Sequence, residues 1–247
     1  MPKKINFFNT DVTVTPLPTL QQYLAFFSFN TTLTEEMAIF SYERTLKHQT
    51  QVFNNLKILL QQNLKGCLFL DETFLCEKEL EKIKDELIKR GQNHDKSKFL
   101  DPEREAYVYI NWKHHMEKDL KKEYAYSDEI QEKIDKAIHH HWKVNSHHPE
   151  FYFKDGNTLE DNKEKIKHSL KKMSNLDLLE MLADWMAVSQ EYKTNCKEFV
   201  KNNIGDDKRW TFSEEQKTKI NRIVNTLEQA PHANNESSYQ QKSSLSR

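Results

Sequence analysis

Chemistry in this sequence concentrates in a few side chains that can bind metal. They are His48, the doublet His94-Asp95 inside NHDKSK, the run His139-His140-His141-Trp142-Lys143-Val144-Asn145-Ser146-His147-His148, and a lone Asp184 inside MLADWM. In chain order they read H…HD…H…HH…D. Imidazole and carboxylate are the donor set of a hydrolytic transition-metal site. Metal-assisted chemistry is therefore the first expectation.

Each member has a bland alternative. Neighbours on a regular helix point about 100° apart, so His94 and Asp95 converge only at a helix end or bend. Gly91-Gln92-Asn93 is expected to break the preceding helix and to leave the pair just beyond its end. Lys98 adds a cation one helical turn past Asp95, where a lysine can meet a phosphate oxygen as a point charge. A solvated HDKSK turn would carry the same letters.

Ile130, Ile134, Ala137 and His141 step by 4, 3 and 4 along one helical stripe. A histidine on such a line is usually a hydrogen-bonded core residue. Here Asn145 and His148 would extend the stripe, and successive polar groups on an inward face need partners. Pro149 biases His148 away from the helical region. The helix is thus expected to end there, with His147 or His148 swinging inward. His139 and His140 point elsewhere and read as surface or supporting groups.

Asp184 is surrounded in sequence by Leu178, Leu179, Met181, Leu182, Ala183, Trp185, Met186, Ala187 and Val188. A carboxylate there must be paired or metal-bound, and a salt bridge to a lysine is the alternative. Glu180 is read as lying on a different face. His48 shares its side with Thr45, Val52 and Leu59 and draws its value from the order of the set. Glu103 and Glu105 are candidates for supporting groups or a general acid–base, and the spacing does not choose between them. His114 and His115 read as exposed.

Long helices must position these groups. Four glycines, six prolines and 30% charged residues in 247 favour a mostly helical chain. Helices are expected from Thr34 to about Leu64, Glu77 to Arg90, Pro102 to about Lys121 and Ser127 to about Val144. A further one runs from a capping box at Ser174-Asn175-Leu176-Asp177 to about Lys201, and a last one spans about Ser213–Leu227. The domain expected is 34–228. Residues 1–33, with Thr13-Val14-Thr15-Pro16-Leu17-Pro18 extended and Tyr23-Leu24-Ala25-Phe26-Phe27-Ser28-Phe29 aromatic, form a strap packed on the body or a partner-binding segment. Residues 229–247 are expected to be disordered, and Phe151–Asn162 to be an irregular surface loop.

The formal net charge of -1 gives no global basic field for nucleic acid or an anionic membrane. Cys67, Cys76 and Cys196 read as free thiols. No apolar run approaches the ~20 residues of a membrane span, and residues 1–30 lack a signal-peptide pattern. The expected compartment is cytoplasmic.

The constellation resembles the HD-domain superfamily of metal-dependent phosphohydrolases, over roughly Tyr42 to Tyr192. His48 matches the first histidine, His94-Asp95 the HD doublet, Lys98 its trailing lysine and Asp184 the terminal aspartate. HDKSKF, HWKVNSHHPEF and LLEMLADW together look like a group of small HD-like proteins of phage and bacteria. The resemblance implies an all-α, HD-domain-like bundle holding one or two divalent transition-metal ions (Mn, Fe, Ni, Co or Zn). It implies that His48, His94, Asp95 and Asp184 hold the first ion. A second ion would share Asp95 and take His141 with His147 or His148. Dinuclear relatives separate their second pair of histidines widely, whereas these three fall within eight residues.

The activity implied is hydrolysis of a small phosphate ester, a nucleotide first of all, by metal-activated water. Asp95 and Lys98 are then the catalytic candidates. Two rivals stand beside it: an HD-type di-iron oxygenase, and a non-catalytic interaction protein in which metal only staples helices. No membrane partner is expected. Nucleic acid is left open by the basic stretch Lys163–Lys172, although the aromatic–basic interleaving of single-strand binders is missing.

Overall fold

The computed structural model of the chain describes residues 16–62, 66–67, 77–153 and 163–230, and every regular element among them is helical. In chain order these are α1 (Leu20–Leu24), α2 (Glu35–Gln62), α3 (Glu77–Asn93), α4 (Glu103–His114), α5 (Asp128–Val144), α6 (Lys163–Leu170), α7 (Asn175–Tyr192), α8 (Cys196–Asn203) and α9 (Glu214–Gln229). Short 3-10 turns cover Lys96–Phe99 and Pro149–Tyr152, and a π turn covers His115–Asp119. Apart from one isolated bridge between Ile204 and Trp210, the described residues form no strand. No helix among them is long and apolar enough to cross a membrane. Thr13–Thr15, Cys76, residues 154–162 of the expected surface loop and residues 231–247 of the expected tail lie outside the described residues.

Helices α2 and α7 form the centre. Thr34 caps α2 by accepting the Met37 N–H at 3.3 Å, and Glu35 and Glu36 oppose the positive end of the helix dipole. Ser174 and Asp177 form the expected capping box on α7. Helix α7 is buried almost throughout its middle, from Asp177 to Ala187. Asn55 on α2 donates to the Ala183 carbonyl at 3.0 Å and so fixes the two helices in register beside Asp184. Helices α3, α4 and α9 also pack on α2.

Two apolar clusters result. Val52, Leu56, Leu59 and Leu87 join Leu178, Leu179, Met181 and Leu182 in one. Tyr23, Leu33, Met37, Phe99, Val108, Ile130 and Ile134 form the other. Along α2 the change from one to the other falls between Ala38 and Val52. That stretch carries His48.

Several boundaries differ from the sequence reading. Gly91-Gln92-Asn93 does not break α3, because Gly91 is a helical packing residue. A Cβ there would come within 2.5 Å of Phe53 Cδ2 and 3.1 Å of Leu56 Cδ1. Close approach of α2 decides this glycine, not turn formation. Gly91→Ala is therefore expected to destabilise the chain by about 1–2 kcal/mol, since overpacking outweighs the gain in helix propensity. Urea denaturation checks it, and a midpoint at or above wild type would remove the argument.

Helix α7 stops at Tyr192 and not near Lys201. Lys193 takes the left-handed conformation (φ 53°), and Asn195 caps the separate α8 through the Glu198 N–H. Ser127 occupies the N-cap of α5 but makes no capping hydrogen bond. Residues Leu20–Leu24 are a helical turn, closed by a reciprocal box between Thr19 and Gln22, so this part of the N-terminal segment is not extended. From α1, Tyr23 packs edge-on against Phe99 at 5.8 Å between centroids. The segment thereby braces the turn that follows His94-Asp95.

Candidate metal centre

Four elements converge on the centre. Helix α2 supplies His48. The end of α3 and the turn after it supply His94 and Asp95. The end of α5 and its outgoing segment supply His141, His147 and His148, and α7 supplies Asp184. The local chain explains the convergence at the doublet. Asp95 sits in the left-handed region (φ 54°), which aspartate tolerates better than most residues. The resulting reversal lets neighbouring side chains face the same interior. Gln49, next to His48, donates to the backbone carbonyls of Gln92 and His94 at 3.1 and 2.9 Å and pins the turn to α2.

The distances define two groups that share Asp95. His48 Nε2 lies 3.0 Å from Asp184 Oδ1 and 3.8 Å from Asp95 Oδ2. His94 Nε2 lies 3.5 Å from Asp95 Oδ2 and 3.8 Å from Asp184 Oδ1. On the opposite oxygen, Asp95 Oδ1 is 3.2 Å from His141 Nε2 and 3.5 Å from His147 Nε2. One donor atom each from His48, His94 and Asp184 lies within 4.8 Å of the others, and the same holds for Asp95, His141, His147 and His148. These buried groups could hold a metal ion. Asp95 Oδ1 and the Nε2 atoms of His94, His147 and His148 are buried without a hydrogen-bonding protein partner. Buried polar atoms of this kind are costly unless something polar or cationic meets them. Their chemistry, imidazole nitrogen and carboxylate oxygen, fits a divalent transition metal.

All seven metal candidates from the sequence are thus brought together, and both His147 and His148 turn inward. Lys98 is also present, with Nζ 2.6 Å from Asp95 Oδ2 and 4.7 Å from the Tyr107 ring centroid. Asp184 meets histidine, not lysine. His139 lies beside Trp142. His114 sits against Tyr192, and His115 against Phe40 and Trp112.

A supporting layer surrounds the donors. Glu103, fully buried, lies 2.8 Å from His141 Nδ1 and 2.7 Å from His140 Nδ1, and accepts the Ser97 hydroxyl at 2.8 Å. The structure therefore selects Glu103 over Glu105, which pairs with Lys133 at the surface. Glu180 requires a correction. It does not lie on a different face from Asp184, because residues four apart stack on one side of a helix. Its Oε1 is 2.9 Å from His94 Nδ1 and 3.4 Å from His147 Nδ1. Arg90 and Asp177, which the sequence placed only at helix ends, stand behind it, with Arg90 Nη1 2.7 Å from Asp177 Oδ1 and 3.1 Å from Glu180 Oε2.

Electrostatics follow from this packing. Burial would raise the Asp95 carboxyl, but His94, Lys98 and His141 hold it well below the usual range. His48 and His94 likewise hold Asp184 down against burial. His147 and His94 do so for Glu180. Burial disfavours the charged form of His147, yet the adjacent carboxylates of Asp95 and Glu180 push it up to about 10. Burial and the neighbouring charges of His147 and His141 press His148 well below its ordinary value. Burial, followed by Asp95, Glu103 and Asp184, raises the Tyr107 hydroxyl well above its ordinary value.

Stability without metal should depend on pH in both directions. His147 is raised, so its contribution is complete below about 6.5, its unfolded value, and fades as pH climbs through about 10. Asp95, Asp184 and Glu180 are depressed, so theirs is complete above about 4–5 and fades on acidification. Denaturation midpoints in chelator across pH test this. His147→Gln should flatten the alkaline limb, and an unchanged limb would contradict the assignment.

Fold and site together define an all-α protein with a buried histidine–carboxylate cluster suited to metal. The chain belongs to a family of unknown function (DUF5662), whose model matches residues 37–228, from α2 into α9. No curated protein and no solved structure matches it.

Proposed function

We propose that this protein is a metal-dependent phosphohydrolase of the HD-domain type, acting on a nucleotide or another small phosphate ester. The observation that supports it most is the shared carboxylate. Asp95 turns one oxygen toward His48 and His94 and the other toward His141 and His147. That arrangement matches the ligand order from which the HD resemblance was drawn. His48, His94, Asp95 and Asp184 would hold one ion, and Asp95, His141, His147 and His148 the other. Divalent ions bound there supply Lewis acidity toward a phosphoryl oxygen and an activated water.

The chain's own residues do the rest. Glu103 and Glu180 fix the ring orientations of His141, His94 and His147, leaving Nε2 as the inward atom. Lys98 holds a positive charge beside Asp95 and keeps some solvent exposure, so it can meet an incoming phosphoryl group. Tyr107 stays protonated beneath the Lys98 ammonium.

Elemental analysis of the purified chain, followed by a phosphatase screen of the metal-loaded form over nucleotides and simple esters, tests the reading. Metal bound together with a phosphate ester hydrolysed supports it. A chain that takes up no transition metal removes it. A second reading draws on the donor count: five imidazoles against two carboxylates also suit iron. An HD-type di-iron oxygenase would purify aerobically with colour and about two irons per chain, as that coordination chemistry requires.

A further inference from the structure

Glu180 stands outside both proposed ion groups, although one donor atom each from His94, His147 and Glu180 also lies within 4.8 Å of the others, and it contacts one ligand from each group. Its Oε1 alone faces both His94 Nδ1 at 2.9 Å and His147 Nδ1 at 3.4 Å. His94 belongs to the group around Asp184, and His147 to the group around His141. The opposite nitrogen of each ring, Nε2, is the buried atom without a hydrogen-bonding partner. The two rings lie 4.5 Å apart between centroids. The other oxygen of Glu180 is engaged at 3.1 Å by Arg90, which Asp177 holds in turn at 2.7 Å. The carboxylate is therefore held from behind while one of its oxygens faces both rings.

We infer that Glu180 is a positioning residue that couples the two ion sites. Accepting an N–H from both rings fixes each as the tautomer with Nδ1 protonated and Nε2 free for metal, and raises the basicity of both ligands. With an ion bound on either side, that histidine would be held in place and would strengthen its hold on Glu180. Glu180 would then favour the metal-ready orientation of the second histidine. The two ions accordingly load together, as linkage requires when one element is biased by both sites. This inference rests on the metal-centre reading above and adds cooperative loading to it.

Zinc is the probe, because it is diamagnetic and accepts imidazole and carboxylate. Zinc titration of the metal-free wild-type chain should show two ions entering in one steep transition. Long-range nitrogen–proton spectra of the loaded chain should show Nδ1–H on both His94 and His147. Glu180→Gln should weaken both ions by about 10–100-fold and broaden the transition toward independent binding. Glu180→Asp, which keeps the charge but shortens the reach, should recover part of the affinity. Its folded state, checked by circular dichroism, guards against loss through unfolding.

Unchanged affinity and steepness in Glu180→Gln, weakening of one ion only, or zinc on Nδ1 of either ring would overturn the coupling role while leaving the metal centre intact. Absence of zinc uptake in the wild-type chain would remove the centre itself, and the coupling with it.

Discussion

Asp95→Ala is expected to lose both proposed ions and the proposed phosphohydrolase activity together while the chain stays folded. Asp95 faces the Nε2 atoms of both histidine groups, so its removal takes a ligand from each. Losing a supporting partner alone costs about 10–100-fold in metal affinity or activity, and losing a shared ligand should exceed the upper end of that range. Stability falls less than function does. In the metal-free chain Asp95 neutralises Lys98 across 2.6 Å, and the variant leaves that ammonium without its carboxylate. A fully buried pair broken this way costs about 3–5 kcal/mol, but Lys98 keeps some solvent, so about 2 kcal/mol is expected. Metal content by elemental analysis, turnover of the best phosphate ester and a denaturation curve measure the three effects. An Asp95→Ala chain with normal metal content would end the proposal of a shared centre, whatever its activity.

Residues whose types conflict with their local surroundings were the ones readable from sequence. Asp184 stands out because eleven consecutive positions around it offer almost nothing polar except Glu180, and a buried carboxylate must find a cation. His141 stands out because it continues the stripe of Ile130, Ile134 and Ala137, all buried in the fold. The spacing of Glu180 and Asp184 carried a signal too, since four residues on a helix means one face. Other members had no such local mark. Arg90 reaches Asp177 across 87 positions, and Ser146 reaches it across 31. Periodicity in one segment says nothing about which surface polar group becomes a long-range partner. Gly91 and Lys193 show the same limit at helix ends. Packing against Phe53 keeps the glycine helical, and a lysine closes α7 where glycine would be the usual sign.

That hidden layer gives the other large expected effect, at Asp177. One of its oxygens accepts Arg90 at 2.7 Å and the Ser146 hydroxyl at 2.6 Å. The other accepts the Tyr152 hydroxyl at 2.7 Å and the Ser174 N–H at 3.0 Å. It thus caps α7, anchors the arginine behind Glu180, and ties down both ends of the segment that carries His147 and His148. Burial works against the charge, but these hydrogen bonds hold the carboxyl below its ordinary range. Its contribution is therefore complete above about 4 and lost as pH falls.

Asp177→Ala removes a cap worth about 1 kcal/mol and leaves a partly buried arginine with only Glu180 and the more exposed Glu86. The combined loss should be about 3–4 kcal/mol at neutral pH, with a shallower acid limb. Metal binding should fall more at the site of His147 and His148, because their segment is untied directly, whereas the other site is reached only through Arg90 and Glu180. Ser146→Ala should reproduce that weakening at a cost of about 1 kcal/mol, the value of one hydrogen bond. If Asp177→Ala unfolds at the wild-type denaturant midpoint, the anchoring role fails. If Ser146→Ala binds two ions like the wild type, the segment carrying His147 and His148 is held by something other than Asp177.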